Sequence, residues 1–142
     1  MQAPAMNVKQ LEEFLAREFS QFFHPQSGLT IEEVQHAAAR VRQAYNAQFI
    51  RPGCTISGPT MMALADFTMY AAVLATIGPV PLAVTTNLNI NFLRKPEPRD
   101  IVAACRLLKL GKRLAVGEVT LAHPGSTDIL CHAVGTYSIP PR

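Results

Sequence analysis

Paired cysteines, runs of lysine or arginine, and a secretory leader are all missing from this chain, and each absence removes a class of function. The three cysteines, Cys54, Cys105 and Cys131, are an odd number without CxxC spacing. They read as reduced thiols in a reducing compartment, so a cytoplasmic protein is expected. His24, His36, His123 and His132 are scattered without ligand spacing, and no metal is predicted. Net charge is only +3, and charged residues make up 16% of the chain. The basic residues gather loosely between Arg94 and Arg113 with no run, zinc spacing or stacking motif, so nucleic acid is not expected as a partner. Such a group suits a small phosphorylated ligand or a solvated face. The first residues lack a basic start followed by an apolar core, which argues against a signal peptide.

What is there is apolar. Hydrophobic residues make up 49% of 142, enough to bury the core of a single domain spanning residues 1–142. Met61 to Val84 is nearly uncharged, yet Asp66, Gly78, Pro79 and Pro81 interrupt it. An aspartate at the centre of a membrane helix costs about 2.5–3.5 kcal/mol, so no membrane span is predicted.

Spacing predicts an amphipathic helix from Asn7 to Phe23, with Asn7 and Gln10 placed as a capping box, within an N-terminal extension over residues 1–26. Leu29 to Phe49 taken by itself reads as helix: Thr30 and Glu33 imitate a capping box, and Ile31, Val34, Ala38, Val41 and Tyr45 keep helical spacing. Ser57-Gly58-Pro59 is a strong helix start, with Ser57 as the capping hydroxyl and proline in the first turn. That helix runs from about Pro59 to Thr76 and is apolar nearly all round, the signature of an element buried on most sides. After Pro81 come strands: Leu82–Leu93, Ile101–Leu110, Leu114–His123 and Ile129–Ile139. Strict alternation in the first of these puts Thr85 and Asn89 on one polar face. One apolar helix and several long strands imply an α+β fold, an antiparallel sheet wrapped around that helix.

Asp66 is the only formally charged side chain between Arg51 and Arg94, about two turns into the apolar helix. A buried carboxylate must find donors or shift its pKa, and such groups concentrate at functional sites. It is the candidate general base or nucleophile. The bland alternative is a structural aspartate hydrogen-bonded to Thr, Tyr or backbone donors of a neighbouring strand. The helix start supplies a complement, because its unpaired N–H groups favour developing negative charge. Gly58 leaves room for a carbonyl oxygen to approach its N–H, an arrangement of the oxyanion-hole kind. Cys54 lacks a paired histidine, and Ser57 lacks the flanking pattern of a hydrolase elbow. Phe67, Tyr70 and Phe92 could line an aromatic pocket or simply fill the core.

The segment Ser57-Gly58-Pro59-Thr60-Met61-Met62-Ala63-Leu64-Ala65-Asp66 resembles the His-Gly-Gly…Leu-Ala-Asp segment of hotdog-fold acyl-CoA thioesterases of the phenylacetic acid degradation (PaaI) type. The likeness continues through Thr85 to Pro96 and Gly111 to Val119, over roughly residues 29–139. It implies a hotdog fold, with residues 29–49 as a two-stranded hairpin rather than a helix. It also implies hydrolysis of an acyl-CoA thioester, coenzyme A being part of the substrate and no cofactor being needed. A homodimer or homotetramer with sites at the subunit interface is implied too. By resemblance Asp66 matches the catalytic acid, Gly58 the backbone donor and Thr85 a hydroxyl that places water. Ser57 and Asn89 fall beside them as substrate-binding positions, and Arg94, Lys95, Lys112 and Arg113 lie where coenzyme A phosphates are met. Ser57 stands in place of the usual histidine and Pro59 in place of the second glycine. A non-catalytic acyl-CoA or acyl-carrier binding protein is the alternative. A hydratase of this fold would want a histidine close downstream of Asp66, where none stands, and a DNA-binding regulator would want a DNA-binding segment, for which the N-terminal helix is too short and too acidic.

Overall fold

The computed structural model describes residues 2–141. Elements follow in the order α1 (Val8–Glu18), β1 (Leu29–Gln35), β2 (Ala38–Gln43), a short 3-10 turn at Ala47–Phe49, β3 (Ile50–Arg51), β4 (Thr55–Ile56), α2 (Gly58–Ile77), β5 (Val84–Phe92), β6 (Ile101–Leu110), β7 (Leu114–Ala122) and β8 (Cys131–Ser138). Six strands form one antiparallel sheet in the order β1-β2-β6-β7-β8-β5, and β3 pairs with β4 separately. The sheet is open, and it curves around α2 as a hotdog fold.

Helix α2 starts where its chemistry predicts. Ser57 has extended backbone angles, its Oγ accepts from the Thr60 N–H, and proline follows in the first turn. Gly78, at φ 96°, closes the other end with its N–H on the Leu74 carbonyl. By length and composition this helix could cross a membrane, but most of it is buried here against the sheet. Each fully buried large aliphatic or thioether side chain, such as Leu64, Met69 or Leu74, contributes about 1.5–3 kcal/mol by leaving water. Helix and sheet approach closely at the cross-strand pair Gly117 and Gly135, where an added Cβ on Gly135 would lie 2.9 Å from the Met69 sulfur.

Residues 29–43 are the hairpin that the resemblance implied, not the helix that the segment's own spacing suggested, and they turn at His36-Ala37 with Ala37 at φ 64°. A bulge between Ile31 and Glu33 shifts the strand's alternation, so the inward residues Ile31 and Val34 are three apart and imitate helical spacing. Helix α1 stops at Glu18, five residues before the expected end. The Phe19 N–H caps it on the Leu15 carbonyl, and a tight turn takes Phe22 and Phe23 across α2 instead. There Phe22 and Phe23 reach Phe67, with ring centroids 5.1 and 5.9 Å away.

The β5–β6 connection is fastened at several points. His123 Nε2 accepts from the Glu97 N–H at 3.0 Å while its Nδ1 bonds the Asp100 carbonyl oxygen at 2.9 Å, and Thr55 Oγ1 donates to the Pro96 carbonyl. Asp100 accepts from the Tyr45 N–H and from Arg42, and these hold its carboxyl below the usual carboxylate range.

Candidate active site

Asp66 lies in the middle of α2, opposite the start of β5 and the end of β8. Its Oδ1 accepts two hydroxyl donors, Thr85 Oγ1 at 2.5 Å and Tyr137 Oη at 2.9 Å. The same Tyr137 hydroxyl reaches the Asp66 backbone carbonyl at 3.0 Å, tying side chain and helix to β8. Oδ2 has no protein donor among the described residues. Burial, and then the charge of Asp66, push the Tyr137 hydroxyl far above its ordinary pKa. It therefore stays a neutral donor at any physiological pH.

The carboxylate opens onto a cavity of about 460 Å³. Phe67 and Tyr70 from α2 form one wall, and Phe19 and Phe22 from the turn after α1 form the other. Phe19 meets Tyr70 edge-on at 5.9 Å, and Tyr70 stacks on Tyr137 at 6.1 Å. Glu18 adds a second carboxylate to the lining; burial and this charge raise the Tyr70 pKa.

Thr85 reaches Asp66 because of a bulge. The register shifts between Thr85 and Asn87, so Thr85 pairs with the inward Tyr137 while Asn89 pairs with the exposed Val134. Strict alternation placed Thr85 and Asn89 together; the extra residue separates them, with Thr85 on the helix side and Asn89 on the outer face. Ser57 is engaged as the α2 cap, its hydroxyl 2.9 Å from that of Thr60. Gly58 occupies the first turn of α2, where N–H groups have no intrahelical acceptor. It lines a second cavity of about 440 Å³ with Arg51, Phe92, Arg94 and Lys95. An added Cβ on Gly58 would touch the Phe92 ring at 3.4 Å.

Asp66 and Gly58 therefore border different cavities of one protomer, as expected for eight residues along a helix, about 12 Å of rise. The basic residues divide likewise. Arg94 and Lys95 follow the end of β5, and Lys112 and Arg113 sit in the exposed β6–β7 turn. Leu114 and Val84 both pair with Ser138, so that turn stands at the edge where β5 begins. Tyr137 is the site residue that sequence reasoning did not single out. Its signal, a tyrosine at an inward position of the last strand, is the same as that of an ordinary core residue.

The Thioesterase superfamily model matches residues 53–129, the stretch running from just before β4, through α2, to just before β8. A crystal structure from Silicibacter sp. TM1040, provisionally named a thioesterase, is 41% identical, covers 99% of this chain and 96% of its own, and superposes with a TM-score of 0.86. A protein of Saccharolobus solfataricus, provisionally named an esterase, is 26% identical over 96% of this chain and 87% of its own length. The Escherichia coli PaaI protein shares the fold at 17% identity and a TM-score of 0.73, over 92% of this chain and 96% of that one. Matched in sequence from residue 53 to residue 129 and aligned along nearly its whole length with a 41% identical relative, this chain belongs to the thioesterase superfamily.

Proposed function

We propose that the protein hydrolyses an acyl-CoA thioester, with Asp66 as general base or nucleophile and the Gly58 N–H polarising the thioester carbonyl. The observation that carries this reading is the Asp66 carboxylate itself. Two hydroxyls fix Oδ1 and leave Oδ2 uncommitted at the wall of an aromatic chamber large enough for an acyl group. Oδ2 takes a proton from water as the water oxygen attacks the carbonyl carbon. The carbonyl oxygen, now carrying the charge, is stabilised by the backbone N–H. Collapse breaks the carbon–sulfur bond, the proton held on Oδ2 passes to the departing sulfur, and a carboxylic acid and the coenzyme A thiol leave with Asp66 ionised again.

One protomer separates these two groups, and β5 offers the means to join them. It is one of the two outer strands of the sheet, and Val84 and Phe92 at its ends, with Leu82 and Leu93 just beyond them, are exposed apolar residues. Thr85, which holds Asp66, and Phe92, which packs on Gly58, are seven residues apart, about 23 Å of strand. Antiparallel pairing of β5 with the same strand of a second copy lays the start of one against the end of the other. Asp66 of one protomer then faces Gly58 of the second, and Lys112 and Arg113 approach the second copy's Arg94 and Lys95. Such a rim of four cations suits the phosphates of coenzyme A. A homodimer is thus the smallest unit with a complete site.

A second reading, an acyl-CoA binding protein without turnover, is favoured by Ser57. Its hydroxyl is spent in the helix cap, leaving no imidazole beside Gly58 to orient a substrate. One experiment separates the two. Thiol release is followed with short, medium and aryl acyl-CoAs for the wild type and Asp66→Asn. A fall in kcat/KM of about 10²–10⁴ in the variant is expected for loss of a general base. Normal turnover by Asp66→Asn would remove Asp66 from the mechanism, and saturable binding with no turnover by the wild type would establish the binding protein.

A further inference from the structure

Behind the Asp66 chamber lies a second hollow of about 430 Å³, and the two share only Phe22 and Ala63 among the residues lining them. Both are floored by one stripe of α2: Pro59, Ala63, then Asp66 and Phe67, at the three- and four-residue spacing that aligns side chains along a helix. Ala63 is the small member of that stripe. The Phe22 ring belongs to both hollows, braced by Phe19 at 5.6 Å and Phe67 at 5.1 Å. Phe22 sits outside regular secondary structure, held through the turn whose N–H bonds reach the Phe19 carbonyl. The two hollows differ in chemistry. The chamber beside Asp66 is walled mainly by rings, whereas the hollow beyond Phe22 carries Gln21, Gln26, Gln43, Asn46 and Gln48.

We infer that Phe22 is the specificity-determining partition that ends the acyl chamber, setting the length of the acyl group and keeping it out of the amide-lined hollow beyond. This rests on the thioesterase reading in taking the Asp66 cavity for the acyl site. The substrate class follows from the walls: an uncharged, apolar acyl group, since a terminal carboxylate would meet Glu18 as well as Asp66. Up to the partition, each added methylene leaves water and strengthens binding about fourfold. Beyond it, further methylenes meet a ring edge and gain nothing.

The test is a chain-length series of straight acyl-CoAs, read as kcat/KM, beside the Kd values of the matching alkyl-CoA thioethers, which cannot be hydrolysed. Wild type, Phe22→Ala, Phe22→Leu and Phe22→Trp are compared, with circular dichroism to confirm folding. Both measures should climb and then break off in the wild type. Phe22→Ala should move the break to chains longer by about two methylenes or more, raising the relative kcat/KM of those chains by about fifteenfold at about fourfold each. Phe22→Trp should move it shorter and Phe22→Leu only slightly, so the series stays informative if the alanine variant is unstable. A break at the same length in all folded variants would overturn the partition. If no acyl-CoA turned over while the thioether Kd values broke off and shifted in this way, the hydrolytic reading would fall and the partition would stand.

Discussion

At the scale of single residues, the site turns on which oxygen of Asp66 is held and which is left. Thr85 and Tyr137 both donate to Oδ1, and Tyr137 also bonds the Asp66 carbonyl. Tyr137→Phe keeps the ring packed on Tyr70 and removes only the hydroxyl. A loss of about 0.5–1.5 kcal/mol is expected, the net worth of one hydrogen bond, measured by urea unfolding. Its kcat/KM should fall less than that of Asp66→Asn, because Thr85 still orients the carboxylate. Asp66 was legible in the sequence because no other charge lies between Arg51 and Arg94. Tyr137 was not legible, since 71 positions separate it from Asp66 and nothing local marks an inward tyrosine as a donor rather than core.

At the scale of elements, capped helix starts were readable, whereas the end of α1 and the strand irregularities were not. A cap is written in adjacent residues, so Ser57-Gly58-Pro59 placed the start of α2 to within a residue. A bulge depends on what the neighbouring strand does. One bulge in β1 brought apolar residues three apart and imitated a helix; another in β5 turned Asn89 outward while Thr85 stayed inside. The hairpin also carries a left-handed residue that is not glycine. Ala37, at φ 64°, donates its N–H to Thr76 Oγ1 and accepts from the Leu107 N–H, bonds that glycine would keep. Ala37→Gly should stabilise the protein by about 0.5–1 kcal/mol, the strain of about 1–2 kcal/mol being partly offset by the freer unfolded chain. A lowered melting temperature in that variant would show that the turn holds no such strain.

At the scale of the whole molecule, burial divides the three thiols. Cys54 is exposed, whereas burial raises the Cys105 thiol to about 12 and the Cys131 thiol to about 11. At pH 8 an alkylating reagent should label one thiol per folded chain and three after unfolding, counted by mass; prompt labelling of all three in the native protein would contradict the packing. The raised values also give stability a sign with pH. Free thiols ionise near about 8.5, so the unfolded chain loses these protons first as pH rises. The stabilisation is complete below that value and is lost as pH climbs toward 11 and 12. Melting temperatures should therefore fall from pH 8 to pH 10.

Helix α2 packs on β1 and β2, which precede it in the chain, and on β5 to β8, which follow it. During synthesis at about 5–20 residues per second, the stretch from Ile77 to Ser138 takes roughly 3–12 s to emerge. Throughout that interval part of the sheet that covers this twenty-residue apolar segment is still missing. A carboxylate near its middle costs about 2.5–3.5 kcal/mol in a bilayer and makes the nascent segment a poor cargo for insertion. Asp66 thus raises the cost of inserting the chain's most apolar segment before a folded site exists for it to serve.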